Sequence, residues 1–154
     1  MTIHFGDSTS LTTAPTSVDT SGIRPNTVNG RGGASTTSDN FIDVFSVTMT
    51  PQANDSKLLV MGGGTIQGQS NGNNSQNNCN GVSAFFRGNS QISATISAAR
   101  NATAFAGDFI LDTNAHGGSA QTYKYRMHKS YGGNRSNNQQ AHLRSASLTI
   151  IEVL

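Results

Sequence analysis

Short apolar segments alternate with clusters of Gly, Asn and Ser along the chain from residue 40 onward. The clearest pattern lies at 121–129, QTYKYRMHK, where two tyrosines and a methionine alternate with lysine, arginine and histidine. Because successive side chains of a β-strand point to opposite faces, this alternation predicts a strand with one buried face. Tyr123, Tyr125 and Met127 are therefore expected to lie in a core.

Other segments have similar patterns and are predicted to be strands. They lie at 41–49, 57–61, 81–87, 91–98, 102–112 and 147–154, with short extended pieces at 2–5 and 10–13. The glycines at 62–64 are expected to end the strand before them, so GGGTIQG at 62–68 is predicted to be a loop. About seven or eight strands, with turn signals between them and no convincing helix, predict an all-β antiparallel sandwich or jelly roll. A small barrel is the alternative within this class.

The first 39 residues differ in texture from the rest of the chain. They are polar and interrupted by Pro15, Pro25 and several glycines, so they cannot form a core of their own. We therefore predict an extended N-terminal arm over 1–39 and one β-sandwich domain over 40–154. A length of 154 residues fits a single domain.

The segment at the end of the sequence, SASLTIIEVL, is apolar on both faces when it is read as a strand. One sheet packed on one core buries only one of those faces. The second face is therefore predicted to be covered by another copy of the chain. The residues assigned to this self-association interface are Ile150, Ile151, Val153 and Leu154.

Glu152 interrupts this apolar segment. At a subunit boundary its carboxylate would need a cation, because an unpaired buried charge costs several kcal/mol. Arg144 or Arg126 could supply that cation. The alternative is an exposed position at the rim of the sheet.

Composition supports the need for a partner and argues against nucleic acid. Only 34% of the residues are apolar and 12% are charged, against about 45 to 50% in typical domains, a figure that also counts Gly, and about 25% charged. The net charge is only +2, so neither a highly charged disordered chain nor a nucleic-acid partner is indicated. Basic residues do gather after residue 120, which indicates either a basic patch or a solvated strand face. They are Lys124, Arg126, Lys129, Arg135 and Arg144.

The sequence offers no catalytic or metal-binding constellation. Cys79 is the only cysteine, which excludes an intrachain disulfide and a site with several thiolates. The four histidines are isolated, so neither a metal nor another cofactor is expected. FGDSTS at 5–10 is similar to the nucleophile block of GDSL-type esterases, with Ser8 as nucleophile, but DTNAH at 112–116 is one residue too long for the late Asp-x-x-His pair. We expect no enzymatic activity.

The sequence contains no charged leader followed by an apolar run and no stretch of about 18 apolar residues. Neither a signal peptide nor a membrane span is therefore predicted. The chain is expected to be made, and first folded, in a cytoplasm.

Two long segments rich in Asn and Gly lie at 68–81, which is uncharged, and at 130–142, which adds Tyr131 and Arg135. They are either inter-strand loops or a recognition tip, because Asn and Gln amides can bind sugar hydroxyls. The candidate recognition residues are Asn71, Asn73, Asn74, Asn77, Asn78, Tyr131, Asn134, Arg135, Asn137 and Asn138.

The two ends of the sequence resemble a family of structural proteins. IHFGDSTSLTTAP at 3–15 resembles an extended segment of structural fibre proteins of tailed phages, especially those of cyanobacteria and marine bacteria. SASLTIIEVL resembles the final strand of the globular domains that close those proteins, and FSVTMTPQANDSKLLVMGGG at 45–64 resembles their early core strands. The resemblance implies a homotrimeric, jelly-roll-like domain on the virion surface, with an arm that crosses to a neighbouring subunit or to the capsid.

The resemblance implies two roles on the particle. The first is a capsid decoration or cement protein that binds the major capsid protein. The alternative is a short tail fibre or knob that contacts tail proteins and binds host-surface glycan through the Asn-rich segments. In both cases we expect synthesis in the host cytoplasm, and no membrane partner.

Overall fold

The computed structural model describes residues 3–4, 10–11, 23–70, 79–99, 102–113, 118–131 and 139–153, and these ranges contain strands and no helix. The strands are β1 Ile3–His4, β2 Ser10–Leu11, β3 Ile23–Thr36, β4 Ile42–Met49, β5 Lys57–Ser70, β6 Cys79–Arg87, β7 Ser90–Gln91, β8 Ile96–Ala98, β9 Thr103–Asp112, β10 Gln121–Tyr131 and β11 Gln139–Val153.

Nine of these strands form two antiparallel sheets that pack face to face. The five-stranded sheet has the order β4-β10-β6-β7, with β8 also paired to β6, and the four-stranded sheet has the order β3-β11-β5-β9. β1 and β2 pair only with each other. The chain passes repeatedly from one sheet to the other, and the last strand pairs with the first strand of the sandwich. This is the connectivity of a jelly roll, so the predicted all-β sandwich is confirmed.

The core lies between the two sheets and uses the inner face of each strand. Tyr123, Tyr125 and Met127 are all at most 1% exposed, which confirms the predicted alternation in β10. The rings of Phe85 and Tyr125 meet edge to face with centroids 4.7 Å apart. The Tyr125 hydroxyl donates a hydrogen bond to the Ala106 carbonyl across the sandwich at 2.9 Å. An inward tyrosine thus supplies apolar area while its polar end is satisfied.

The glycines at 62–64 do not end a strand, and the loop predicted at 62–68 is wrong. β5 runs through them from Lys57 to Ser70. A Cβ at Gly62 would lie 2.2 Å from the Ser147 carbonyl oxygen, and one at Gly64 would lie 3.0 Å from the Ala146 Cα. These positions require glycine because β5 approaches β11 closely beside a β-bulge, where Ser145 has a φ of 51°.

β3 lies within the region that the sequence assigned to an arm. It pairs with β11 along most of its length, so the four-stranded sheet takes in residues 23–36 and the sandwich begins before residue 40. Gly30 lies on the inner face of β3, where a Cβ would lie 2.4 Å from Val47 Cγ2. Small inward residues therefore let β3 pack closely on β4, and they also make this strand polar and glycine-rich.

Candidate functional site: the outer face of the four-stranded sheet

The register of the four-stranded sheet collects apolar side chains on its outer side. Leu111, Leu59 and Ile151 are partners across three neighbouring strands. Phe109 and Met61 are partners in the next row. Paired residues of antiparallel strands point to the same face, so these side chains form one surface. We call it the outer apolar face, and its members are Leu59, Met61, Phe105, Phe109, Leu111, Ile151 and Val153.

The outer apolar face is open to solvent in the single chain. Phe105 is 76% exposed, Phe109 75% and Leu111 48%, while the other four members are partly buried. Single exposed apolar residues are ordinary, but a contiguous group marks an interaction surface. Phe105 lies over two glycines, because a Cβ at Gly63 or Gly107 would come within 2.7 Å of its ring. The glycines leave room for the ring to rest on the sheet.

Cations border this face. Lys57 is the partner of Val153, Arg31 of Ser147 and Arg144 of Thr65, which places all three cations on the outer side. Each of them is exposed. Among the residues that the structure describes, no carboxylate lies at an outward position of these four strands. The face is therefore apolar with positive charge at its margin.

His142 lies on the same outer side, near the bulge in β11. Its Nδ1 is 2.6 Å from the Ser35 hydroxyl. Burial lowers the pKa of His142, and the neighbouring Arg144 lowers it further. The surroundings of His142 therefore favour the neutral imidazole over the protonated one.

Buried carboxylates fix the sandwich behind this face. Asp112 ends β9, and it accepts hydrogen bonds from Arg87 at 2.8 Å and from the Tyr123 hydroxyl at 2.7 Å. Burial, followed by the Asp112 carboxylate, raises the pKa of Tyr123 far above its usual value. Arg87 and Tyr123 belong to the five-stranded sheet, so this cluster ties β9 to the opposite sheet.

Glu152 is fully buried and not at an exposed rim, so that alternative is wrong. Its carboxylate accepts hydrogen bonds from the Ser56 hydroxyl and from the Gln52 backbone N–H, the latter at 2.7 Å. Arg126 instead binds Asp43, and Arg144 lies on the outer side while Glu152 points inward. Glu152 therefore ties the last strand to the segment between β4 and β5.

The predicted interface residues divide between the two sides of β11. Ile150 is fully buried in the core, where its partners are Val28 and Val60. Ile151 and Val153 lie on the outer apolar face. Leu154 falls outside the described residues. The sequence missed the exposed residues of β9, although the Phe and Leu at 105, 109 and 111 share one strand face and could have revealed them.

The predicted recognition residues fall outside the described part of the chain, apart from Tyr131, whose backbone ends β10. The residues that flank the two Asn-rich segments are described, and they are paired. Ser70 pairs with Gln139, and Cys79 pairs with Tyr131. Both segments therefore leave the sandwich from the same end.

The described basic residues of the second half do not form one patch. Lys124 and Arg126 both bind Asp43 on the five-stranded sheet, and Lys129 lies 3.5 Å from Asp39. Arg144 lies on the other sheet. Arg135 falls outside the described residues.

No group of three or more His, Cys, Asp or Glu side chains that could hold a metal occurs within the described residues. Cys79 is buried, and this burial raises the pKa of its thiol. Ser8 of the esterase-like block falls outside the described part of the chain. The described segments include no helix long and apolar enough to cross a membrane.

No family model and no curated protein matches the sequence. Solved structures do match the fold. A chain of the T13 infectious bursal disease virus particle has a TM-score of 0.57 at 12% identity over 83% of this chain. A chain of the Gx strain of infectious bursal disease virus has a TM-score of 0.54 at 15% identity. A chain of the VP2 subviral particle of infectious bursal disease virus has a TM-score of 0.52 at 12% identity. Each match covers 83% of this chain. The chain spans about a third of those chains, 31 to 33% of their length.

Proposed function

We propose that the chain is a structural protein of a virus particle, and specifically a homotrimeric capsid decoration protein of a tailed phage that binds the major capsid protein. The observation that carries this proposal is the outer apolar face, which the described part of one copy leaves uncovered. The jelly-roll fold, shared with chains of a viral particle, supports a role in the virion.

Apolar burial would drive the association. A fully buried large aliphatic or aromatic side chain contributes about 1.5 to 3 kcal/mol. Phe105 and Phe109 have most of that area still to bury. Ile151 and Val153 extend the same surface along β11, so several side chains in each copy would contribute to the assembly.

The hydrogen-bonded carboxylates inside the sandwich suit a subunit that must resist mechanical force. Asp112 joins the two sheets, and Glu152 holds the segment between β4 and β5 against the last strand. A sandwich fixed in this way would transmit force between neighbouring capsid subunits without opening. The proposed role involves no catalysis and no cofactor.

Two measurements test this function. Sedimentation equilibrium of the purified chain at micromolar concentration should give the mass of a trimer. Cryo-electron microscopy of the particle should place that trimer at junctions between capsomers. A monomer that remains folded, or a particle that lacks the chain, would overturn the proposal.

A short tail fibre or knob that binds host-surface glycan is the second candidate. The observation that favours it is the pairing of Ser70 with Gln139 and of Cys79 with Tyr131, which brings the bases of both Asn-rich segments together. Under this function the isolated protein adsorbs to host cells, and substitution of Asn73 and Asn137 by Ala reduces adsorption. Adsorption absent at high protein concentration would remove this candidate.

A further inference from the structure

We propose that the N-terminal segment of a neighbouring copy, residues 1–22, covers the outer apolar face. The inference rests on the proposed function, because it names the occupant of the surface through which the subunits would assemble. Three independent features of the chain support it: the hairpin at the start of the sequence, the distribution of charge, and the exposure of the face.

The β1–β2 hairpin has no place in either sheet. Ile3 pairs with Leu11 and His4 with Ser10, and neither strand is hydrogen-bonded to the sandwich. An isolated two-stranded hairpin is only marginally stable in water and needs a surface to pack on. The segment therefore requires a surface, and the outer apolar face requires a cover.

The charges of the two parts are complementary. Residues 1–22 contain Asp7 and Asp19 and no Lys or Arg. The outer side of the four-stranded sheet carries Lys57, Arg31 and Arg144, and no described carboxylate. Two such faces packed on each other would bring cations together, whereas the N-terminal segment brings carboxylates to them.

A neighbouring copy is the source of the segment. Phe109 is 75% exposed, so the described part of one chain does not cover this face, and the proposed trimer assigns the cover to a neighbouring copy. Because β1 and β2 form a hairpin, the reach comes from the 11 residues 12–22 that lead to β3. In an extended conformation they could span up to roughly 36 Å, more than twice the radius of gyration of a compact domain of this size, about 14 Å. Each copy would give its segment to the next and receive one, an arrangement that closes into a ring.

A mixing experiment with two variants tests the inference. The first is the full chain with Phe109→Asp, which has an intact N-terminal segment and a damaged face. The second lacks residues 1–22 and has an intact face; the sandwich should keep its fold, because β1 and β2 are not part of either sheet. We expect each variant alone to sediment as a monomer, with association weakened about 100-fold or more. A 1:1 mixture should form a hetero-complex, visible by native mass spectrometry, because one variant supplies the segment and the other the face.

The control is Ser46→Asp, an exposed position on the five-stranded sheet, which should assemble like the unmodified chain. Thermal unfolding should show that all variants are folded. If the chain without residues 1–22 assembles as well as the full chain while Phe109→Asp does not, the face pairs with another part of the neighbour and the inference fails, although the proposed function stands. If both variants assemble normally, the face is not the assembly surface and the inference also fails. A monomeric full chain would instead overturn the proposed function.

Discussion

On the outer side of the five-stranded sheet, Asp43 binds both Lys124 and Arg126, whereas on the outer side of the four-stranded sheet Phe105 and Phe109 are exposed. The first surface is completed by its own chain. The Arg126 guanidinium lies 4.7 Å from the centre of the Phe86 ring, a cation–π contact. Phe41 packs against the same ring with centroids 5.0 Å apart.

The second surface has apolar side chains without any such cover. The two sheets come from one sequence and share one core, so the difference lies in what their outward positions carry. On the outer side of the five-stranded sheet, charged and aromatic side chains bind one another, so this surface is covered by residues of its own chain. Apolar residues with cations at their margin leave the four-stranded sheet in need of a partner. Exposed hydrophobic area, together with the lack of a described carboxylate on the same side, therefore marks the four-stranded sheet as the candidate interaction surface.

Removing the two exposed phenylalanine rings should have the largest effect, and that effect should be on association. The double variant Phe105→Ser with Phe109→Ser should weaken association by about 3 to 6 kcal/mol, because each ring loses about 1.5 to 3 kcal/mol of burial in the assembly. The free energy of unfolding of the single chain should stay within about 0.5 kcal/mol, since both rings are exposed. Sedimentation velocity measures the first quantity and urea denaturation the second. A large loss of stability in the monomer would show that the rings serve the fold itself.

A substitution in the cluster between the two sheets should have the opposite effect, lowering stability while leaving association unchanged. Asp112→Asn should lower the free energy of unfolding by about 2 to 3 kcal/mol, because the partly buried guanidinium of Arg87 loses the charged partner that it binds at a buried position. Association measured on the folded protein should be unchanged. Urea denaturation gives the value, and Asp55→Asn at an exposed position is the matched control. Equal effects of the two substitutions would contradict the role assigned to the Asp112 cluster.

The fold was largely predictable, because alternation is a local property that the sequence displays. Tyr123, Tyr125 and Met127 reveal their strand by period alone. β3 was hidden because its inward residues include Gly30 and Gly32, whose small size serves close packing on β4. A pattern search based on apolar residues cannot detect a strand whose buried positions are glycine.

The candidate site was only half predictable. The alternation at 147–154 correctly placed Ile151 and Val153 on a face of their own, and the exposure of that face needed the structure. Which strands lie beside β11 depends on pairings between residues far apart in sequence, such as Leu59 with Ile151. The contribution of Phe105 and Phe109 follows from that register. Glu152 likewise accepts its hydrogen bonds from Ser56 and Gln52 only in the assembled sandwich, because these residues are far apart in sequence.

The outer surface of the five-stranded sheet can be weakened at Asp43, which binds Lys124 and Arg126. Hydrogen bonds from Lys124, with further attraction from Arg126, hold the pKa of Asp43 below its usual value of 3.8. The folded state thus favours the charged form, so this contribution is present above about pH 4 and is lost as the pH falls through the lowered pKa. Asp43→Asn should cost about 1 kcal/mol or less at pH 7, because the Asp43 side chain is exposed to solvent. It should also reduce the acid dependence of the urea midpoint.

The smallest effect on stability should come from His142, on the outer side of the four-stranded sheet. Burial and then Arg144 depress its pKa below the ordinary value of 6.5. The unfolded chain therefore binds more protons than the folded chain in the window below pH 6.5, and stability should fall as the pH drops through that window.

The test is the urea midpoint of the dissociated Phe105→Ser, Phe109→Ser variant between pH 7.5 and pH 5, with and without His142→Gln. The substitution should flatten this part of the curve. In the assembled protein the same loss should be smaller, because carboxylates of an incoming segment near Arg144 would favour the protonated imidazole. An equal loss in the assembled and dissociated forms would mean that no acidic partner reaches this end of the sheet.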